Sequence, residues 1–380
     1  MKKNISLYIH IPFCKSKCNY CDFLSFDNKA SVMKEYVQAL ISEIKSYSEV
    51  TKEYMVKSIF IGGGTPSILS CADIESIFEA LKLYYNIDNN AEITIEANPG
   101  TLNEDKIGRV LDSGVNRISL GLQSCNDNLL KRLGRIHTFD EFLLNYDLLR
   151  KYKFSNINVD MMFALPNQKM TDLEYDLKSI IDLRPEHISY YSLIIEEGTN
   201  FSKMYKDNKL NLPDEDDERA MYWLIDNLLQ KSGYKHYEIS NFALGGKECY
   251  HNKVYWIEKE YIGMGLGASS FFEGFRYKNI SNMNEYIKSN GEREKIKESI
   301  QKIDKKTAIE EYMFLGLRLL DGIDELDFYN RWGHEIDYYY KSVIKELVKD
   351  NLITNNGYRL KLTRKGIDVS NYALAMFLFD

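Results

Sequence analysis

Six short runs of apolar and β-branched residues, each followed by a stretch at helical spacing, occupy the first half of this chain and constrain most of what it can become. The runs are SLYIHI (6–11), SIFIG (58–62), ITIEA (93–97), RISLG (117–121), INVDMMF (157–163) and ISYYSLI (188–194). Between them, Val32–Tyr47, Asp73–Tyr84, Glu104–Ser113, Phe139–Lys151 and Asp172–Leu183 read as helices. Consecutive strand–helix units predict an α/β fold, a parallel sheet with helices outside. Right-handed crossovers curl such a sheet into a barrel or an arc of one. A doubly wound sheet is the alternative, and in both folds ligands gather at the C-terminal ends of the strands. The first five runs lead there into unusual chemistry: a cysteine cluster, GGGTP, EANP, LQS and Asp160 before ALP.

Later segments differ. LPDEDDERA (212–220) reads as a helix start, because acids in a first turn suit the helix dipole; a metal site there would need better ligand spacing. After Gly233 the pattern becomes irregular through HYEISNFALGGKECYHNKVYW and YIGMGLGASSFF, and NGEREKIKESIQKIDKK reads as an exposed connector. From Thr307, three helices, a hairpin around NLITNNGYRLKL with an Asn-Gly turn, and a final helix capped by Thr363 outline a winged-helix-like module. The expected domains are thus 1–235, 236–300 and 301–380. Residues 300–380 hold 12 Lys and Arg against 13 Asp and Glu. That lacks the basic footprint of a DNA binder and favours a protein-contact or lid role. The net charge of −7 likewise argues against broad nucleic-acid or anionic-lipid binding. No apolar run reaches the ~20 residues of a membrane span, and His10 and Pro12 spoil the N-terminus as a signal peptide. The expected compartment is the cytoplasm.

CKSKCNYC (14–21) gathers three of the six cysteines. In a reducing compartment such clusters serve metal or redox chemistry rather than disulfides. Structural zinc wants four ligands, and a redox pair of Cys18 and Cys21 would leave Cys14 idle. Three thiolates suit a [4Fe-4S] cluster with one iron left open. An open iron can be chelated by the amine and carboxylate of an amino acid, the groups that end S-adenosylmethionine. Cluster therefore ranks above zinc, and zinc above redox. Cys71, Cys125 and Cys249 read as ordinary packing cysteines. GGGTP lacks the Gly-Lys-Ser/Thr of a phosphate loop.

IHIPFCKSKCNYCDF resembles the signature of radical S-adenosylmethionine proteins. Together with FIGGGTPS, EITIEANPG, NRISLGLQS, NINVDMMFALP and EEYMFLGLRLLDGID it is similar, over nearly the whole chain, to the oxygen-independent coproporphyrinogen III oxidase family. The resemblance implies a partial six-unit (β/α) barrel with a helical C-terminal domain over its mouth. It implies a cluster on Cys14, Cys18 and Cys21, and S-adenosylmethionine contacts from Tyr8, Tyr20, Gly64, Thr65, Glu96, Gln123, Arg135 and Asp160. It also implies an electron donor of flavodoxin or ferredoxin type. The oxidase branch carries a further cysteine where this chain has Phe23, whereas HNKVYW (251–256) matches the branch of heme chaperones. That branch implies heme as cargo and an acceptor protein. His251 is then a candidate axial ligand, with Tyr255 on its helix face and Trp256 able to stack on the macrocycle. Family members often carry a histidine where this chain has Ser269, so a second heme ligand is not evident. Oxidative decarboxylation of coproporphyrinogen is the competing activity, and a cluster-sensing winged-helix regulator the competing class.

Overall fold

The computed structural model describes residues 2–27 and 29–379. Strands β1 (Lys3–Ile11), β2 (Tyr54–Gly63), β3 (Ile87–Ala97), β4 (Arg117–Gln123), β5 (Ile157–Phe163) and β6 (His187–Ser192) lie side by side in chain order, all parallel. Helices α1 (Met33–Ser46), α2 (Cys71–Tyr84), α3 (Glu104–Asp112), α4 (Asp127–Leu133), α5 (Phe139–Lys151), α6 (Met170–Leu183), α7 (Asn200–Lys206) and α8 (Glu215–Lys231) connect them or follow the last. Local chemistry sets their starts. Ser70, Asn103, Thr138 and Asp214 each accept a hydrogen bond from the backbone of the helix they precede. Asp214 confirms that the acidic run at 212–220 opens a helix.

The alternation along these strands is reversed from that of a packed barrel. Leu7, Ile9, Ile59, Ile61, Ile93, Ile95, Ile118, Leu120, Val159 and Ile188 are buried in one hydrophobic core with residues of the helices. The intervening residues, Tyr8, Glu96, Arg117, Ser119, Asn158, Asp160 and Ser189, line an interior chamber. Where layers of Val, Ile and Leu would fill a barrel interior, polar groups leave room for ligands.

The irregular middle of the chain extends this sheet at both edges. Beyond β6 lie β8 (Asn241–Ala243) and β7 (Lys235–Glu238), antiparallel. Beyond β1 lie β9 (Tyr261–Met264), parallel to it, and then β10 (Ser269–Phe272), β11 (Phe275–Asn279) and β12 (Lys297–Lys302). Among the described residues the arc therefore has twelve strands. The charged stretch at 290–306, expected as a connector, instead forms the short helix α11 (Arg293–Ile296) and the edge strand β12. Helix α9 (Tyr250–Trp256) enters the arc at the N-terminal ends of the strands, and α10 (Met283–Ser289) packs on α1.

Residues from 305 onward form a mainly helical module, with one helix more than expected: α12 (Lys305–Gly316), α13 (Glu325–Trp332), α14 (Ile336–Lys349), α15 (Arg364–Asp368) and α16 (Ser370–Ala375). A small sheet ordered β13 (Ile323–Asp324), β15 (Arg359–Leu362), β14 (Ile353–Asn355) completes it. The module has its own core around Phe328, Tyr340, Leu347, Leu360 and Phe377. Thr363 caps α15 as expected, through Gly366. Its placement differs from the expectation of a cover over the mouth. Glu311 of α12 pairs with Arg276 of β11, while Leu319 bridges to Glu238 of β7. The module thus spans the gap between the two ends of the arc and packs on α9. Among the described residues no helix is long and apolar enough to cross a membrane.

Candidate functional site

The loop leaving β1 carries Cys14, Cys18 and Cys21 across the C-terminal mouth of the arc. Its base is pinned by paired backbone bonds, Cys14 N–H to the Phe26 carbonyl (2.9 Å) and Phe26 N–H to that of Pro12 (2.8 Å). Its far side is held by Asn19, which donates from its backbone to Leu133 and accepts from Phe201 (both 2.9 Å). All three thiols are free and half-buried. Burial pushes the Cys21 thiol up to about 11 and that of Cys14 up as well. A metal must therefore displace their protons, which makes binding pH-dependent. Among the described residues no three Cys, His, Asp or Glu side chains are gathered around one point as a single metal ion requires. The set is thus three soft donors spaced along one loop, suited to the separate irons of a cluster.

Seven of the eight other residues assigned to this site line the same cavity of ≈ 320 Å³ as the cysteines: Tyr20, Gly64, Thr65, Glu96, Gln123, Arg135 and Asp160. Gly64 comes so close to the cysteine loop that a Cβ there would lie 2.6 Å from the Phe13 carbonyl oxygen and 3.0 Å from the Cys14 sulfur. Thr65 donates its hydroxyl to the Cys14 sulfur at 3.7 Å, and Arg135 an Nη1–H to that of Cys18, also at 3.7 Å. The other end of Arg135 is fixed by Asn98 and the Gly121 carbonyl, both at 2.7 Å. Gln123 holds a left-handed backbone, φ 73°, where the β4–β5 register slips. A bulge at a strand end re-aims its side chain, and strain of this kind gathers at functional sites.

The polar groups here are incompletely satisfied. Gln123 Oε1 and Arg135 Nε are buried without a hydrogen-bond partner among the described residues. Each such atom costs roughly 1–3 kcal/mol unless a ligand or water meets it. Among the described residues, Glu96 accepts only the Gly63 N–H, at 3.0 Å. Burial first, and then the neighbouring Asp160, push its carboxyl up to about 8. Asp160 is steadied by Ser119 (3.0 Å) and Asn158 (2.8 Å). Two carboxyls facing one cavity suit the hydroxyls of a sugar.

Tyr8 and His251 are not at the mouth. Tyr8 lines a second chamber of ≈ 200 Å³ deeper in the arc, which shares Glu96, Ser119, Asp160 and Tyr191 with the first. Its hydroxyl meets His10 Nδ1 at 2.9 Å. His251 forms the chamber's floor and is 1% exposed. One ring nitrogen meets Ser58 (2.8 Å) and the other Tyr255 (2.9 Å). The expected shared face of His251 and Tyr255 thus exists as a direct bond. Burial, with Arg117 nearby, pushes the imidazole down to about 3, so it is neutral. Ligating iron through either nitrogen requires one of these bonds to break. Trp256 sits at the module boundary with the Arg318 guanidinium 4.4 Å over its ring. Ser269 is exposed at the start of β10.

Asn98, Ser119 and Arg117 were not singled out in the sequence. EANP contains Asn98, and the period of two along β4 places Arg117 and Ser119 on the face that leads to Gln123.

Residues 8–180 match the Radical SAM superfamily, and 303–369 match the HemN C-terminal domain. The chain is 39% identical to the heme chaperone HemW of Lactococcus lactis, covering 100% of this chain and 99% of the relative. It is 35% identical to HemW of Bacillus subtilis, over 98% of this chain and 99% of that one. The structure of Escherichia coli coproporphyrinogen III oxidase, HemN, superposes with a TM-score of 0.87 at 21% identity, covering 99% of this chain and 90% of that one. That likeness shows the fold.

Proposed function

The chain belongs to the HemW heme chaperone family within the radical SAM superfamily, and from that premise we propose that it binds heme and passes it to an acceptor protein in the cytoplasm. Cys14, Cys18 and Cys21 would hold a [4Fe-4S] cluster. Gly64, Thr65, Arg135 and Gln123 would meet S-adenosylmethionine near that loop, with Tyr20 against it. Glu96 and Asp160 would take its ribose hydroxyls, and Tyr8 would stand beneath. The observation that carries the cofactor reading is the convergence of three free thiols, a close-approach glycine and two orphaned polar atoms on one cavity. When bound and reduced by a flavodoxin- or ferredoxin-type donor, such a cluster supplies an electron to the sulfonium. This chain's own residues position the ligand, keep Glu96 protonated near neutrality and shield the site from water.

Heme is the cargo in this reading, and His251 is the candidate axial ligand. Its buried position makes ligation conditional on withdrawal of α9 from the arc. The test is an anaerobic heme titration of the wild type, His251→Ala and Ser58→Ala. Saturable binding with a Soret band lost in the first variant and kept in the second supports the assignment. A wild type that binds no heme overturns the chaperone reading, and an unchanged band in His251→Ala removes that residue. Conversion of coproporphyrinogen to protoporphyrinogen by the reduced, S-adenosylmethionine-loaded protein would instead establish the oxidase.

A further inference from the structure

Among the described residues, Arg117 is the one large cation sealed inside the arc. It is 2% exposed, its Nε has no hydrogen-bond partner among the described residues, and its side chain lines the inner chamber of ≈ 200 Å³. Three carboxyl groups lie around that chamber or beside it, yet each is committed elsewhere. Glu92 accepts the backbone N–H groups of Tyr250 (3.0 Å) and His251 (2.9 Å). Asp160 takes Ser119 and Asn158, and Glu96 takes Gly63. Glu92 and Asp160 act on the guanidinium only through space. Among the described residues, no ion pair to Arg117 forms. A buried guanidinium left unpaired is strongly unfavourable, and its planar fork matches a carboxylate with two parallel bonds.

A second unspent group faces the same space. Asn252, next to His251 on α9, lines the chamber, and its amide makes no hydrogen bond among the described residues. By contrast Asn158, His187, Ser189 and Tyr255 are already engaged.

We propose that this inner chamber is a binding site for a small monocarboxylate, whose carboxylate pairs with Arg117 and whose other end is met by the Asn252 amide. A chamber of ≈ 200 Å³ has room for a molecule of a few carbons. The neighbouring carboxylates Asp160 and Glu92 disfavour a dianion such as phosphate. The polar walls shared with the outer cavity among the described residues are Glu96, Ser119, Asp160 and Tyr191. Ligand in the chamber therefore lies against the carboxyls proposed to hold the ribose, while its own contacts do not depend on the cluster.

The test uses carboxyl-labelled propionate titrated into the full chain, with and without cluster and S-adenosylmethionine, and followed by NMR. Saturable broadening of the label in the wild type is expected. Arg117→Gln should weaken it roughly ten- to a hundredfold, the range of a charged hydrogen-bonded pair. Asn252→Leu, which removes the amide and leaves the guanidinium intact, should also weaken it and keeps the test valid if Arg117→Gln fails to fold. Competition by acetate but not by phosphate is expected. No saturable binding to the wild type, unchanged binding in either folded variant, or equal competition by phosphate would overturn the assignment and leave a hydrated structural cation. Loss of heme binding does not bear on this result, so the two readings fail separately.

Discussion

Gly64 shows how a single missing side chain shapes the site. The backbone of GGGTP passes so near the cysteine loop that any Cβ meets the Phe13 carbonyl and the Cys14 sulfur. Gly64→Ala should therefore displace Cys14; after reconstitution, iron and sulfide per chain should fall well below the wild type, while circular dichroism stays unchanged. Equal iron content would show that the loop yields without cost. Glu96 gives a second residue-scale expectation. Its folded pKa is raised to about 8, against about 4.3 when unfolded. The folded chain thus holds a proton that the unfolded chain releases. This contribution is full below the unfolded pKa and is lost as pH climbs towards 8. Glu96→Gln mimics the protonated form, so the melting temperature of the ligand-free variant should gain on the wild type steadily from pH 5.5 to 8.5. A constant difference would mean that Glu96 is ionised throughout. The cysteines, GGGTP and Glu96 were legible in the sequence because each residue type is unusual at a strand end. Arg117 was not, since an arginine opening a strand looks like a surface residue until the sheet curls around it.

Elements were legible where one face is apolar and opaque where both faces are spoken for. The six parallel strands and their helices carry clear periodicity, and the observed bounds differ from the expected ones mainly by extension at strand starts, as in β1, β2 and β3. Strand β12, KESIQK, was hidden because it is an edge strand with a mostly exposed face. Charges there prevent pairing with other chains, and the same charges make it read as a connector. Helix α9 is the converse case. Its sequence, YHNKVYW, has no apolar stripe because its inner face meets a polar chamber rather than a core. What holds it is Glu92, which receives two backbone N–H groups at its first turn where the helix dipole also favours an anion. Glu92→Gln should cost about 1–3 kcal/mol and raise amide exchange selectively at 250–257. If heme reaches His251 by withdrawal of α9, the same variant should load heme faster than the wild type. Unaltered exchange at α9 would show that Glu92 is not its anchor.

At the scale of the whole molecule, the sheet is an arc whose two ends the C-terminal module ties together. The sequence contained both parts but not their relation, because the ties join residues far apart and not complementary in any local pattern. One tie is Glu311 of α12, buried to 8% exposure, which meets Arg276 of β11 through two parallel bonds. Another is Arg331 with Glu258 at 2.7 Å, the latter on the turn after α9. Both bonds reach elements beside the chamber floor, so the module's grip and the position of α9 are mechanically linked. Removing Arg276 leaves the Glu311 carboxylate buried and uncompensated, which typically costs 3–5 kcal/mol, whereas removing both charges together should cost less than the single loss. Arg276→Ala should therefore open the junction near residue 303 to limited proteolysis, and Arg276→Ala with Glu311→Leu should restore much of the resistance. A double variant cleaved as fast as the single one would show that the pair is not the tie. A module that loosens while α9 stays protected from exchange would sever the link between the closure of the arc and its floor.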